Sequence, residues 1–297
     1  MKVKKDLFSQ SRILARASKH IRDVFDLWGY EEIFLPAVEE YSEQLRDGLK
    51  ITYNNAFYLV KPDITSQIVV NLKNGEPRRL CYISEVLKDG INGRWQAGAE
   101  FIGGSDMQMV LEILSLIITL LERLGIENFY IDVGSIMVWE NALKDVSEYR
   151  EEVFLALKRR NFGVIEELDI PDQKKEELWY LFNFRGRKSP CNRLNEIVEN
   201  LNDERVFIDF GTIRFYPYYE DIVFEVYSSN VGHPLGGGGS YRVGSMKACG
   251  FAMNLEVIAG LARLTDEDGR IILKGKSWSA YEQARKLVME KKKVRVI

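Results

Sequence analysis

The chain has 297 residues, of which 46% are hydrophobic and 29% charged, and its 41 basic and 44 acidic residues give a net charge of −3. This length can bury a substantial core as one large domain or two modest ones, and the composition is typical of a soluble globular protein. A protein that holds tRNA or DNA by its backbone usually carries a clear basic excess, so we expect no nucleic-acid partner.

Side chains that bind metals or form disulfides are few. The cysteines number three, with no pair at metal-site spacing, and the histidines two. An odd cysteine count predicts reduced thiols, and two histidines are too few for a zinc site or a serine–histidine triad. The N-terminus has no signal-peptide pattern, and the most apolar stretch, 109–121, is too short to span a bilayer. We expect a cytoplasmic protein with no metal, no cofactor and no membrane segment.

The N-terminal part of the chain predicts one long helix followed by short strands. Residues 7–28 have apolar side chains at helical spacing and predict an amphipathic helix that ends at Gly29. Residues 31–38 predict a strand closed by Pro36, and residues 56–61 predict another strand.

The next part predicts a helix start, a hairpin and a buried helix. The segment Pro62–Ser66 has the residue types of a turn and a helix N-cap. Residues 78–88 and 95–103 alternate as paired strands do, around a polar glycine-containing loop at 88–94. The elements predicted after this hairpin are a buried helix over 106–124, a strand over 128–133 and a helix from about Ser135.

The composition changes near Lys144, and residues 144–202 predict an inserted helical module interrupted by Pro171 and Pro190. The elements predicted after it are strands between Val206 and Tyr227, a helix over 253–264, and a tail of strand 271–273, helix 277–289 and strand 294–297. Neither dinucleotide-binding nor P-loop glycine motifs occur. We expect an α+β fold, an antiparallel sheet flanked by helices, with one domain over 1–265 and a small extension over 266–297.

The segment most informative about function combines aromatic rings, one arginine and glycines. Arg214–Tyr219 and Val223–Glu225 precede a glycine run that ends in Ser240 and Tyr241. These residue types predict a small polar pocket walled by rings, one cation and closely approaching backbone.

The order of five segments strongly resembles the catalytic domain of histidyl-tRNA synthetase, a class II aminoacyl-tRNA synthetase, over roughly residues 5 to 265. The segments that carry the resemblance are the first helix with Gly29–Pro36, Lys61–Thr65, Ser84–Gly103, Arg214–Glu225 with Gly237–Tyr241, and Gly250–Val257. The resemblance implies a class II synthetase-like sheet, with a dimer interface built by the first of these segments.

The resemblance also implies a histidine-binding site. Its residues here are Asp63, Thr65, Lys88, Gln96, Glu100, Arg214, Tyr218, Tyr219 and Tyr241, with Gly237, Gly238 and Gly239 as pocket backbone. Asp63 and Thr65 are expected to hold the amine, Arg214 and Lys88 the carboxylate, and Glu100 and the tyrosines the imidazole. Gln96 and Glu100 are an even step apart on a strand and therefore face the same side.

Phe215, Pro217, Ser240 and Arg242 depart from the histidine-specific pattern, and three further departures bear on catalysis. Lys88 and Gly90 stand where the second motif has arginine and glutamate, and Val257 stands where the third motif has its catalytic arginine. A lysine keeps the charge but loses the bidentate fork, and loss of one cationic group typically slows such a reaction about 10²–10³-fold. We expect no catalytic residues of an ATP-dependent ligase, and a site that binds its ligand without activating it.

A synthetase-like chain with these losses, and without the anticodon-binding domain expected of a full synthetase, resembles the regulatory subunits of ATP phosphoribosyltransferase. This implies a non-catalytic role in the first step of histidine biosynthesis and feedback inhibition by histidine. It also implies a self-dimer, a short-form catalytic partner and a hetero-octamer. The alternatives are a synthetase-like ligase that activates an amino acid with ATP, and a synthetase-like sensor of tRNA or amino acids.

Overall fold

The computed structural model describes residues 6–72, 77–88, 91–214, 216–264, 269–275 and 277–297. The chain forms two compact units, Met1–Ala262 and Arg263–Ile297. The predicted boundary between residues 265 and 266 falls among 265–268, outside the described residues.

The larger unit is built on a mixed sheet that has nine strands among the described residues. The strands of this unit are β1 Glu31–Glu32, β2 Val38–Glu40, β3 Leu49–Tyr53, β4 Ala56–Val60, β5 Arg78–Lys88, β6 Asn92–Ile102, β7 Phe129–Ser135, β8 Arg185–Gly186, β9 Val206–Asp209, β10 Tyr219–Ser228, β11 Gly236–Val243 and β12 Met246–Asn254. The large sheet has the order β1-β5-β6-β12-β11-β10-β7-β9-β8, while β2, β4 and β3 form a small separate sheet. In the large sheet, the β1–β5 and β7–β9 pairs are parallel and the other pairs are antiparallel.

Helices flank this sheet, which confirms the predicted α+β class. They are α1 Leu7–Leu27, α2 Ile64–Asn71, α3 Asp106–Arg123, α4 Ile136–Ala142, α5 Arg150–Arg159, α6 Gly163–Glu166, α7 Asp172–Asn183, α8 Asn192–Leu201 and α9 Leu255–Leu261, with a 3₁₀ helix over Lys144–Tyr149. None of the helices within the described ranges is both long and apolar enough to cross a bilayer.

The long helix α1 begins and ends where the sequence predicts. Asp6 accepts hydrogen bonds from the amides of Phe8 and Ser9 and so caps the first turn. At the other end Gly29 has a φ of +76°, and the Tyr30 amide donates to the Phe25 carbonyl over 2.9 Å. This is the glycine-terminated Schellman motif, in which a side chain at the glycine position would be strained.

The predicted strand over 31–38 is wrong. The segment supplies β1 to the large sheet and only the first residue of β2 to the small one, with Pro36 between them. Strand β3 was not predicted; it pairs with β4 across a two-residue turn in which Asn54 and Asn55 both have positive φ.

The helical module over 144–202 contains one strand as well as helices. Strand β8 pairs with β9 at the edge of the large sheet, and α8 packs against α3. The prediction for 253–264 is also corrected, because Met253 and Asn254 belong to β12 and α9 ends at Leu261.

The glycine run forms the middle strand β11 rather than an irregular loop, and it lies between β12 and β10. A Cβ atom added at Gly238 would overlap the carbonyl oxygen of Gly250 on the neighbouring strand. Conversely, Arg214 and Pro217 were predicted within a strand but precede it, because β10 begins at Tyr219. Phe215 is not among the described residues.

The smaller unit has the strand–helix–strand order predicted for the tail. Strand β13 covers Ile271–Leu273, helix α10 covers Trp278–Met289 and strand β14 covers Val294–Val296. The two strands pair in parallel.

The packing of β11 predicts that Gly238→Ala destabilises the fold. The added methyl group meets backbone that cannot rotate away, and overpacking of this kind costs about 1–3 kcal/mol. Gly232→Ala is the matched control, because an added Cβ there meets nothing within 4 Å and should change stability by less than about 0.5 kcal/mol. Urea unfolding measures both variants; equal midpoints would contradict the close approach of β11 and β12.

Candidate functional site

A cavity of about 220 Å³ lies where the start of α2 faces the strands β5, β6, β11 and β12. All nine side chains predicted for the histidine site line it: Asp63, Thr65, Lys88, Gln96, Glu100, Arg214, Tyr218, Tyr219 and Tyr241. Of the predicted backbone glycines, Gly237 lines the cavity, whereas Gly238 and Gly239 are not among the described residues that do so.

Glu100 lies at the bottom of the cavity and is fully buried. Its Oε1 accepts a hydrogen bond from Thr65 Oγ1 over 2.7 Å, and its Oε2 accepts one from the Tyr241 hydroxyl over 2.8 Å. Burial raises the pKa of Glu100 to about 8, although both hydrogen bonds favour the ionised form. The carboxyl group lies over Gly250, where any Cβ would overlap it.

The start of α2 supplies both a helix cap and cavity side chains. The Asp63 carboxylate accepts a hydrogen bond from the Ser66 amide over 2.9 Å, as an N-cap does. Asp63 also lines the cavity and is almost completely buried. Burial raises the pKa of Asp63, while Lys88 and the Ser66 amide act in the opposite direction. Thr65 follows in the first turn and reaches Glu100, so capping places two polar groups at the cavity.

Tyrosine rings form one wall of the cavity. Tyr216 and Tyr218 stack with centroids 5.3 Å apart, and Tyr218 meets Tyr219 edge-on at 4.8 Å. Tyr218 also contacts the ring of Tyr241, at 5.9 Å. Burial raises the pKa of Tyr218, Tyr219 and Tyr241, so their hydroxyl groups stay protonated at neutral pH.

Arg214 lies against this wall and has a buried hydrogen-bond donor without a partner among the described residues. Its Nη1 is 3.3 Å from Glu225 Oε1, and the guanidinium lies against Gly237, where a Cβ would overlap it. Its buried Nε has no hydrogen-bond partner among the described residues, and the same is true of Gln96 Oε1. Buried polar atoms are nearly always paired in native structures, so this donor and this acceptor are available to polar atoms that enter the cavity.

The ammonium group of Lys88 already contacts two protein side chains. Its Nζ lies 2.9 Å from Asp47 Oδ2 and donates to the Tyr216 hydroxyl over 2.6 Å. Burial lowers the pKa of Lys88, but the contacts with Tyr216 and Asp47 outweigh this and raise it above its usual value. A ligand carboxylate that reached Lys88 would compete with Asp47.

Sequence reasoning missed several residues of this site. Tyr216, Glu225, Arg94 and Asn254 also line the cavity. All four fall inside segments that carry the family resemblance, so the signal was available for them. Asp47, which contacts Lys88, has no such sequence signal, because this contact joins distant parts of the chain.

Two residues of the third motif lie beside the cavity on the first turn of α9. The Val257 amide donates to Asn254 Oδ1 over 3.2 Å, which caps the helix, and Glu256 Oε1 accepts from the Trp95 amide over 3.3 Å. Val257 is half-buried and lies outside the described cavity lining. Gly90, the other departure noted in the sequence, is not among the described residues.

The large sheet and its flanking helices form the fold of a class II aminoacyl-tRNA synthetase catalytic domain. Residues 5–258 match the family profile described as histidyl-tRNA synthetase. The chain therefore belongs to the histidyl-tRNA synthetase family.

Similar curated proteins are named ATP phosphoribosyltransferase regulatory subunit, the kind of protein that the sequence resemblance indicates. The one from Thermoanaerobacter sp. (strain X514) is 27% identical, over 81% of this chain and 76% of the relative. The one from Bacillus subtilis (strain 168) is 24% identical, over 85% and 78%.

Solved structures with this fold have low sequence identity to the chain. A Bacillus halodurans C protein described as ATP phosphoribosyltransferase regulatory subunit/histidyl-tRNA synthetase has a TM-score of 0.78 at 22% identity, covering 100% of this chain and 90% of its own. A chain of the ATP phosphoribosyl transferase (HisG:HisZ) complex from Thermotoga maritima has a TM-score of 0.68 at 17% identity, covering 80% and 96%. Histidyl-tRNA synthetase from Nostoc sp. PCC 7120 has a TM-score of 0.76 at 16% identity, covering 97% and 83%.

The raised pKa of Glu100 predicts that the free energy of unfolding falls as the pH rises. Its pKa of about 8 in the folded chain exceeds the ordinary value of 4.5, so between these pH values the folded state holds a proton that the unfolded state releases. The free energy of unfolding should decrease through this window and level off above it. Urea unfolding from about pH 5 to about pH 9 measures this dependence.

Glu100→Gln should flatten that part of the profile, because glutamine carries no titrating proton. Glu127→Gln is the control, since Glu127 is exposed. An unchanged slope in Glu100→Gln would show that another group causes the pH dependence.

Proposed function

We propose that this protein is the non-catalytic regulatory subunit of an ATP phosphoribosyltransferase, which acts in the first step of histidine biosynthesis. The names of its curated relatives and the fold shared with a chain of the Thermotoga maritima complex support this assignment. The partner is a short-form catalytic subunit, and free histidine, bound in the cavity of Glu100, is the feedback inhibitor.

The observation that carries the histidine assignment is the pair of unpartnered atoms, Arg214 Nε and Gln96 Oε1. A free amino acid supplies a carboxylate for the first, and an imidazole N–H is a donor for the second. Asp63 and the Thr65 hydroxyl oxygen offer acceptors for the ammonium group. Glu100 and the tyrosine rings then surround the imidazole.

The charges of the cavity favour binding over adenylate formation. Transfer of an adenylyl group needs cations against the phosphates, and removal of one such group typically slows the reaction about 10²–10³-fold. Val257 supplies no charge, and the ammonium of Lys88 is balanced by Asp47 at 2.9 Å. The subunit thus retains its ligand without carrying out the ligase reaction.

Feedback requires histidine to favour one state of the complex over another, by a coupling of about 1–3 kcal/mol. We propose the self-dimer contact at the first motif, where Leu27 and Phe34 expose apolar side chains. Dimers of this chain then assemble with catalytic subunits into the proposed hetero-octamer.

Reconstitution with a short-form catalytic subunit tests the proposed function. The catalytic subunit should be inactive alone, should copurify with this chain, and should form phosphoribosyl-ATP only in the mixture. Histidine should inhibit the mixture. Failure to form a complex, or histidine-dependent ATP–pyrophosphate exchange by the isolated chain, would overturn the assignment.

Gln96→Met separates a ligand-binding role from a structural one. Methionine keeps the approximate volume and removes a buried acceptor that has no partner among the described residues, so stability should be unchanged or higher. Histidine affinity, measured by calorimetry, should fall about 5- to 100-fold because the ligand loses a hydrogen bond. Gln173→Met, at an exposed position of α7, should change neither; lower stability with unchanged affinity in Gln96→Met would contradict the proposed role.

A further inference from the structure

A second cavity, of about 380 Å³, lies between α5 of the helical module and the segment that begins at Arg214. Its charged and aromatic lining residues are Arg150, Glu151, Phe154, Lys158, Arg214, Tyr216 and Tyr219. Its volume falls in the range of small-molecule sites, about 300–1,000 Å³, and neither the family motifs nor the proposed histidine site accounts for it.

The two cavities share a wall. Arg214, Tyr216 and Tyr219 line both of them. Arg214 is held from one side by Glu225, while its buried Nε has no partner in the part of the chain that the structure describes. One guanidinium donor is therefore positioned between two cavities, and an anionic group in either of them can accept from it.

Helix α5 brings two more cations and an aromatic ring to the second cavity. Arg150, Phe154 and Lys158 recur at a spacing of one helical turn, so they lie on one face. The Arg150 guanidinium lies over the Phe154 ring, 4.5 Å from its centroid, and pairs with Glu140 at its far side. Ile136 and Pro217 add apolar surface. Glu151 is the one carboxylate of the described lining, against the three cations Arg150, Lys158 and Arg214. Rings and apolar side chains fit a planar body, and this excess of cations fits an attached anionic group.

We propose that this cavity binds a small planar ligand with one anionic group, phosphate or carboxylate, and that this ligand and histidine weaken each other's binding through Arg214. The coupling rests on the proposed histidine site, whereas the second binding site itself does not. Both anions need the same donor, and their charges repel across the shared wall. The reduction of affinity must be the same in both directions.

Calorimetry on the full chain tests the proposal with four probes. Adenosine monophosphate and benzoate carry a planar ring with a phosphate or a carboxylate; adenosine has only the ring and inorganic phosphate only the anion. At least one ringed anion should bind more tightly than adenosine and inorganic phosphate, and should raise the Kd of histidine at least about 5-fold. Which of the two ringed anions binds identifies the anionic group.

Lys158→Gln should weaken the ringed anion about 5-fold or more while leaving histidine affinity unchanged in its absence. Lys144→Gln is the matched control, because it removes an exposed lysine of the same module that is outside the described lining of this cavity. Anion binding that persists unchanged in Lys158→Gln, or no binding of either ringed anion at millimolar concentration, would overturn the proposal. Anion binding without histidine binding would support the second cavity and refute the proposed histidine site.

Discussion

The hydrogen-bonded burial of the Glu100 carboxyl group is the constraint on which the rest of the site depends. Burial raises the pKa of this group to about 8, so at neutral pH the folded chain holds it mainly as a neutral carboxylic acid. The Thr65 and Tyr241 hydroxyls satisfy its buried oxygens. The two donors come from α2 and β11, while Gly250 of β12 has no side chain and so leaves room for the Glu100 carboxyl group. Helix α2 and both strands must therefore keep their registers with β6 for this group to be buried.

The glycines of the central strands follow from the same constraint. Glycine weakens a strand because it has no side chain to pack, yet each of these positions lies beneath a large side chain. Gly250 lies beneath Glu100, Gly237 beneath the Arg214 guanidinium and Gly98 beneath the Tyr82 ring. The strand pairing places a glycine opposite Glu100 and opposite Tyr82. At these positions glycine lowers the intrinsic stability of the strand, and it also provides room for a large polar side chain that lies across the sheet.

Sequence patterns predict the long helices, the β5–β6 hairpin and the cavity side chains, because helical spacing, strand alternation and motif order are local signals. They do not predict β3, the division of 31–38 between two sheets, or β11 as a strand, since these depend on pairing with distant segments. The contact of Asp47 with Lys88 likewise has no spacing signature. It changes the interpretation of Lys88 from a free carboxylate anchor to a cation already in use.

Internal charge pairing is the physical argument for the proposed preference of the cavity for a zwitterion over a nucleotide. Asp47 balances Lys88 and Glu225 balances Arg214, while Arg94 lies at the exposed rim. A triphosphate would bring several uncompensated charges into this cavity, and desolvating them costs more than one remaining guanidinium donor returns. An amino acid brings one charge of each sign, which Asp63 and Arg214, both in the cavity lining, can meet without added net charge. In the proposed function, Asp63 and Arg214 remain available to the ligand while Lys88 is paired with Asp47, and this difference is what would separate an amino acid from a nucleotide.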